Sequence, residues 1–127
     1  TVRAVKAYYD GALGSRGAAL IENYADDTGN RGLTILQKED VLRVSRDAAA
    51  KGFQVATHAI GDYANRLTLE AYGEALGGQN DKRFRVEHAQ IVHPDDFPLF
   101  KKYSIIASIQ ATHATSDMRW AEDRIGP

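Results

Sequence analysis

Two kinds of hydrophobic pattern take turns along this chain. Short runs of β-branched and aromatic residues end in turn formers, and longer stretches repeat apolar positions at helical spacing. Val2 to Tyr9 reads as a strand, closed by Asp10-Gly11. Gly11 to Gly32 then turns to Gly, Asp, Asn and Ser without sustained periodicity. Long irregular segments of this kind are uncommon in compact domains and are usually functional, so this is a candidate active-site loop. Lys38 to Lys51 reads as a helix, with Val41, Leu42, Val44, Ala48 and Ala49 on one apolar face and Gly52 as its stop. Phe53 to His58 is a second short apolar strand. Asp62 is placed to cap a second helix that runs to about Leu76, with Ala64, Leu67, Leu69 and Ala75 available for burial. After the turn Gly77 to Asp81 comes a third strand, Phe84 to His88. His93-Pro94-Asp95-Asp96 opens a third helix, with proline in its first turn and acids at the positive end of the dipole. Ser104 to Gln110 is a fourth strand, followed by polar loop residues and a short helix around Met118 to Asp123.

Strand and helix therefore alternate, which argues for parallel βα units over a meander. His58 and His88 stand 30 positions apart, the length of one βαβ repeat of ~30 residues. No internal repeat, low-complexity tract or linker interrupts the pattern, and residues 1–127 read as one α/β domain.

Composition narrows the chemistry. The 16 basic and 17 acidic side chains give a net charge of -1. They are interspersed, so neither nucleic acid nor an acidic membrane surface is an expected partner. There is no cysteine, which leaves nitrogen and oxygen as the donors for any metal. Stretches such as Ile105 to Ile109 are far shorter than the ~20 residues a membrane span needs. The chain starts at Thr1 inside a strand-like run, without a signal-peptide pattern, so it reads as a piece of something longer with the cytoplasm as its default compartment.

In parallel α/β sheets and barrels, ligands bind at the carboxyl ends of the strands. His58 closes the second strand and His88 the third; Lys6 lies late on the first and Gln110 ends the fourth. Neutral imidazole is a common zinc ligand, but two ligands fall short of the usual four. Each residue also has a plainer reading. Either histidine alone could be a hydrogen-bonded rim residue, although the matched pair favours ligation. Lys6 reads by itself as a snorkelling surface lysine. Asp62 reads as a helix cap, and His93 as structural or solvated. His113, beside Thr112, Thr115 and Ser116, is either a substrate contact or an exposed polar residue. Arg16, within Gly14-Ser15-Arg16-Gly17, could help cradle an anion, though the strand-to-helix setting of a phosphate loop is lacking. Glu87 precedes His88, so strand alternation sends it to the opposite face, as a partner for Arg83 or Arg85.

Four motifs in order carry a resemblance. They are Asp10-Gly11-Ala12-Leu13-Gly14-Ser15-Arg16, His58-Ala59-Ile60-Gly61-Asp62, Glu87-His88-Ala89-Gln90, and Gln110 through Asp117. Together they resemble the amidohydrolase superfamily, in the branch that includes the N-substituted formamide deformylases. The resemblance implies a (β/α) barrel of the TIM type with a divalent metal, zinc foremost, at its carboxyl end. It implies hydrolysis of an amide-like C–N bond by a metal-activated water. His58 and His88 match the fifth- and sixth-strand ligands, and Lys6 matches the fourth-strand lysine that is carboxylated in many members. Gln110 and His113 match the seventh-strand loop that lines the substrate pocket, and Arg16 is carried as a further substrate contact. The family's paired first-strand histidines and its eighth-strand aspartate have no counterpart here. A full barrel takes ~250 residues, so the expectation is about four parallel βα units, a half-barrel inactive in isolation. The alternatives are a non-catalytic half-barrel that binds a ligand or self-associates, and one half of a split enzyme. An open half-barrel leaves sheet edges and an apolar face uncovered, so self-association is expected.

Overall fold

The computed structural model describes residues 1–127. Four strands form a single parallel sheet in the order β1-β2-β3-β4: β1 Ala4–Tyr8, β2 Gln54–Ala59, β3 Arg85–His88 and β4 Ile106–Ser108. The register is regular, with Tyr8 opposite His58, His58 opposite Glu87 and Glu87 opposite Ser108. Two long helices, α1 Lys38–Ala50 and α2 Asp62–Leu76, pack against each other and against one face of the sheet. This is half of a (β/α) barrel: parallel strands, each crossover made on the same side, and the opposite face open.

The apolar periodicity explains the helix layer. Val41, Ser45 and Ala48 form the inward stripe of α1, and Ala64, Thr68, Leu69, Ala71 and Tyr72 that of α2. They meet Val55, Val86 and Phe84 in a core where Val41, Leu69, Tyr72 and Phe84 are fully buried. The Tyr72 hydroxyl donates to Thr57 Oγ1 at 2.7 Å, while the hydroxyls of Ser45 and Thr68 in the same layer are buried without a partner. The Gln37 N–H donates to Asp40 at 3.2 Å and starts α1, and Gly52 follows it in a left-handed conformation at φ 75°. On the open face, Tyr8 is 52% exposed and Ile106 46%.

Several boundaries differ from the sequence reading. The third helix begins as a 3-10 turn at Pro94–Asp96 and becomes α3 only at Phe97–Lys102. The polar stretch after β4 is α4, Ala111–Ser116, and the last helix, α5, is Ala121–Ile125, not Met118 to Asp123. The threonines of α4 have weak helix propensity and the helix is under two turns, so no apolar period marks it. Asp62 is the first residue of α2 and not its cap; Gly61 holds that position.

Residues 9–37 contain no helix or paired strand, yet this loop has a core of its own. Leu13, Ala18, Leu20 and Tyr24 pack with Ile60, and the Tyr24 hydroxyl donates to the Ala18 carbonyl at 2.8 Å. No helix is long and apolar enough to cross a membrane.

Candidate metal centre

The loop is fastened over the strand ends chiefly by the Asp10 carboxylate. Asp10, only 1% exposed, accepts hydrogen bonds from the N–H groups of Ala19 at 2.9 Å, Ile60 at 3.0 Å and Gly61 at 2.8 Å. Burial pushes the Asp10 carboxyl up to about 6, and the N–H donors of Gly61, Ile60 and Ala19 restrain the rise. Asp62 adds a second tie by accepting from the Ile21 N–H at 2.9 Å. Asn65, wholly buried on α2, donates to the carbonyls of Ala59, Gly61 and Ile91 and so joins the ends of β2 and β3. Gly61 is obligatory here, because a Cβ would stand 1.9 Å from the Ala19 carbonyl oxygen.

On this platform the imidazoles of His58 and His88 converge, ring centroids 4.6 Å apart and edge to face at 72°. The strand alternation rule alone would have sent His88 to the helix side, since its register partner is the buried Ala59. Instead the backbone turns left-handed at His88, φ 79°, and again at Ala89, φ 42°. Such φ values cost L-residues roughly 1–2 kcal/mol each. The turn re-aims the His88 ring to the open face. Glu87 also faces that side, opposite His58 in register, which corrects the expectation that it points away. Its partner is Arg85, as one of the two expected arginines. Burial works against Glu87 ionising, but hydrogen bonds from Ser108 and Arg85, with Lys6 nearby, hold its carboxyl below the usual range.

His58 Nε2 faces the Gly11 carbonyl at 3.4 Å and lies 3.5 Å from Asp10 Oδ1. Burial depresses the His58 pKa, as do His88 and Lys6, while the Gly11 bond opposes the shift. The ring is therefore neutral at neutral pH. With its Nε2–H given to the carbonyl, its Nδ1 lone pair is free. Lys6 sits mid-strand and opposite Ala56, one pleat or ~7 Å below the His58 level. Its ammonium rests 5.0 Å from the centre of the Tyr8 ring. Burial lowers the Lys6 pKa, Glu87 opposes and Arg85 adds to the fall.

His113 lies on α4, its ring centroid 5.8 Å from that of His88. Together with Gln110, Ile109, Asp117 and Met118 the two histidines line a cavity of about 310 Å³. The largest cavity, about 430 Å³, lies elsewhere, among Ala19, Arg31, Leu33 and Tyr63, and includes none of the strand-end histidines. Arg16 stands apart. Its guanidinium is taken up by both oxygens of Asp26, at 3.0 and 2.8 Å, and it does not line the cavity beside His88. A tight turn, Arg16 N–H to Leu13 carbonyl at 3.0 Å with φ 58°, aims it back into its own loop.

The donor set fits a divalent ion in part. One neutral imidazole and a second ring beside it suit zinc and related ions. No group of three or more His, Cys, Asp or Glu side chains is arranged to hold a metal ion by itself. Sequence reasoning found the histidines but missed Asp10 and Asn65 as organisers. The signal for Asp10 was its place directly after the first strand, where it read as a turn former at the head of a family motif.

Comparison with known proteins agrees with this geometry. A sequence model described as the Amidohydrolase family matches residues 1–127. The chain is 40% identical over 124 residues to Protein LONG AFTER FAR-RED 3 of Arabidopsis thaliana, covering 96% of this chain and 21% of that protein. It is 37% identical over 123 residues to the "Putative amidohydrolase YtcJ" of Bacillus subtilis (strain 168), covering 97% of this chain and 23% of that protein. Among solved structures, an uncharacterized metal-dependent hydrolase from Pyrococcus furiosus superposes with a TM-score of 0.87 at 35% identity, covering 97% of this chain and 25% of that one. One from Pyrococcus horikoshii gives 0.88 at 32%, covering 99% and 25%. The chain thus spans between a fifth and a quarter of these relatives. Fold and sequence agree, and the chain belongs to the amidohydrolase family of hydrolases.

Proposed function

We propose that these 127 residues are the part of a metal-dependent hydrolase that supplies two imidazole ligands, His58 and His88, to one divalent ion. The convergence of the two rings, 4.6 Å between centroids on the open face, carries the reading. A divalent ion, zinc in this reading, would supply the Lewis acidity that acidifies water and polarises a carbonyl. The chain's own groups do the rest. Asp10 and the Gly11 carbonyl hold the His58 ring, and burial keeps that ring neutral. Lys6 joins as a carboxylated side chain, its lowered pKa raising the share of neutral amine that can take up carbon dioxide. His113 and the apolar walls Ile109 and Met118 receive an amide-type small molecule. Two imidazoles and one carbamate leave the shell unfinished. Hydrolysis of an amide-like C–N bond is therefore assigned to the complete parent chain, and none to this segment alone. Zinc titration calorimetry on the wild type, His58→Ala and His88→Ala tests the reading. Weak saturable binding lost in both variants supports it, and unchanged uptake in both counts against it.

A second reading rests on the open face, where Tyr8 and Ile106 are about half exposed. Without the rest of a barrel, this surface drives two copies together. Size-exclusion chromatography is expected to give a dimer or larger species, and a stable monomer would oppose this.

A further inference from the structure

We propose that Gln110 is a positioning residue that fixes the tautomer of His88, a role separate from substrate contact. This rests on the reading of His88 as a metal ligand. Gln110 Oε1 lies 2.5 Å from His88 Nδ1, and Gln110 Nε2 donates to the Ser108 carbonyl at 3.3 Å. The second contact determines the first. A backbone carbonyl only accepts, so the amide nitrogen must face Ser108 and the amide oxygen must face the ring. The amide oxygen also only accepts, so the proton sits on Nδ1 and the lone pair on Nε2.

Gln110 is the N-cap of α4, two residues past the end of β4, whose Ser108 is the register partner of Glu87, so the segment leaving the neighbouring strand braces the ring. The left-handed backbone at His88 turns the side chain to the open face, but it leaves rotation about the side-chain bonds free. Gln110 removes that freedom. Both ends of its amide are engaged, each by one contact. A ligating histidine commonly gives its second N–H to such an acceptor, and losing the acceptor typically weakens metal affinity about 10–100-fold.

Nitrogen-15 NMR of histidine-labelled protein, without metal and above the ordinary imidazole pKa, reads the tautomer directly. The wild type is expected to show His88 protonated at Nδ1 and bare at Nε2. Gln110→Ala is expected to lose that bias, and Gln110→Glu to keep it, since a carboxylate is an acceptor. Should Gln110→Ala fail to fold, the wild-type and Gln110→Glu spectra still decide. A wild-type proton on Nε2, or an unchanged His88 signature in folded Gln110→Ala, would overturn the proposal. A purely structural role would leave the tautomer where it is. The readout needs no metal, so failure of zinc to bind would strike the proposed function and not this assignment.

Discussion

Asp10 Oδ1 lies 3.5 Å from His58 Nε2 while the same carboxylate accepts three backbone N–H groups from two different loops. One buried side chain therefore sets both the seat of the long loop and the surroundings of a strand-end imidazole. Replacing it by alanine strands the N–H groups of Ala19, Ile60 and Gly61 in the interior. At about 1–3 kcal/mol for each unsatisfied group, Asp10→Ala is expected to lower stability by roughly 3–5 kcal/mol. Urea denaturation followed by circular dichroism checks this.

Gly61→Ala tests the same fastening sterically. Its Cβ would meet the Ala19 carbonyl oxygen that also accepts from the Tyr63 and Ala64 N–H groups. Overpacking of this kind costs about 1–3 kcal/mol. Faster amide exchange at Tyr63 and Ala64, with a lowered unfolding midpoint, is the expected result.

The two faces of the sheet should respond differently to truncation. Leu69→Ala, in the fully buried helix layer, is expected to cost about 2–5 kcal/mol. Tyr8→Ala, on the open face, is expected to change the stability of the monomer by about 0.5 kcal/mol or less. Equal losses would mean that the open face is packed in solution.

Acid should loosen the contact between the loop and α5. Asp26 is paired with Arg16 and Arg124, and the Arg16 hydrogen bond is the main cause of its lowered pKa. A depressed folded-state pKa contributes stability above the ordinary aspartate value and loses it as pH falls through the folded value. The Ala25 N–H, bonded to the Arg124 carbonyl at 2.8 Å, is expected to exchange faster below that range in NMR, and Asp26→Asn to show the effect at neutral pH.

The strands, their parallel order and the histidine pair were legible in sequence because each is a local pattern repeated at one interval. His88 reached the shared face by a route the pattern does not encode. Alternation assumes extended backbone, and two left-handed residues break it, so Glu87 was assigned to the wrong side. Asp10 was opaque for another reason: its partners lie 9, 50 and 51 residues away. The pairing of Arg16 with Asp26, ten positions on, was not legible because no motif or period links the two loop positions. Short α4 had no period to read.

Zinc titration followed through the imidazole resonances tests most directly whether one ion is gripped by both strand-end rings. His58 and His88 should shift together with a single midpoint, while His93, occupied at Nδ1 by the Asp95 N–H, stays in place. Zinc that perturbs only one of the pair, or His93 as strongly as either, would contradict the account.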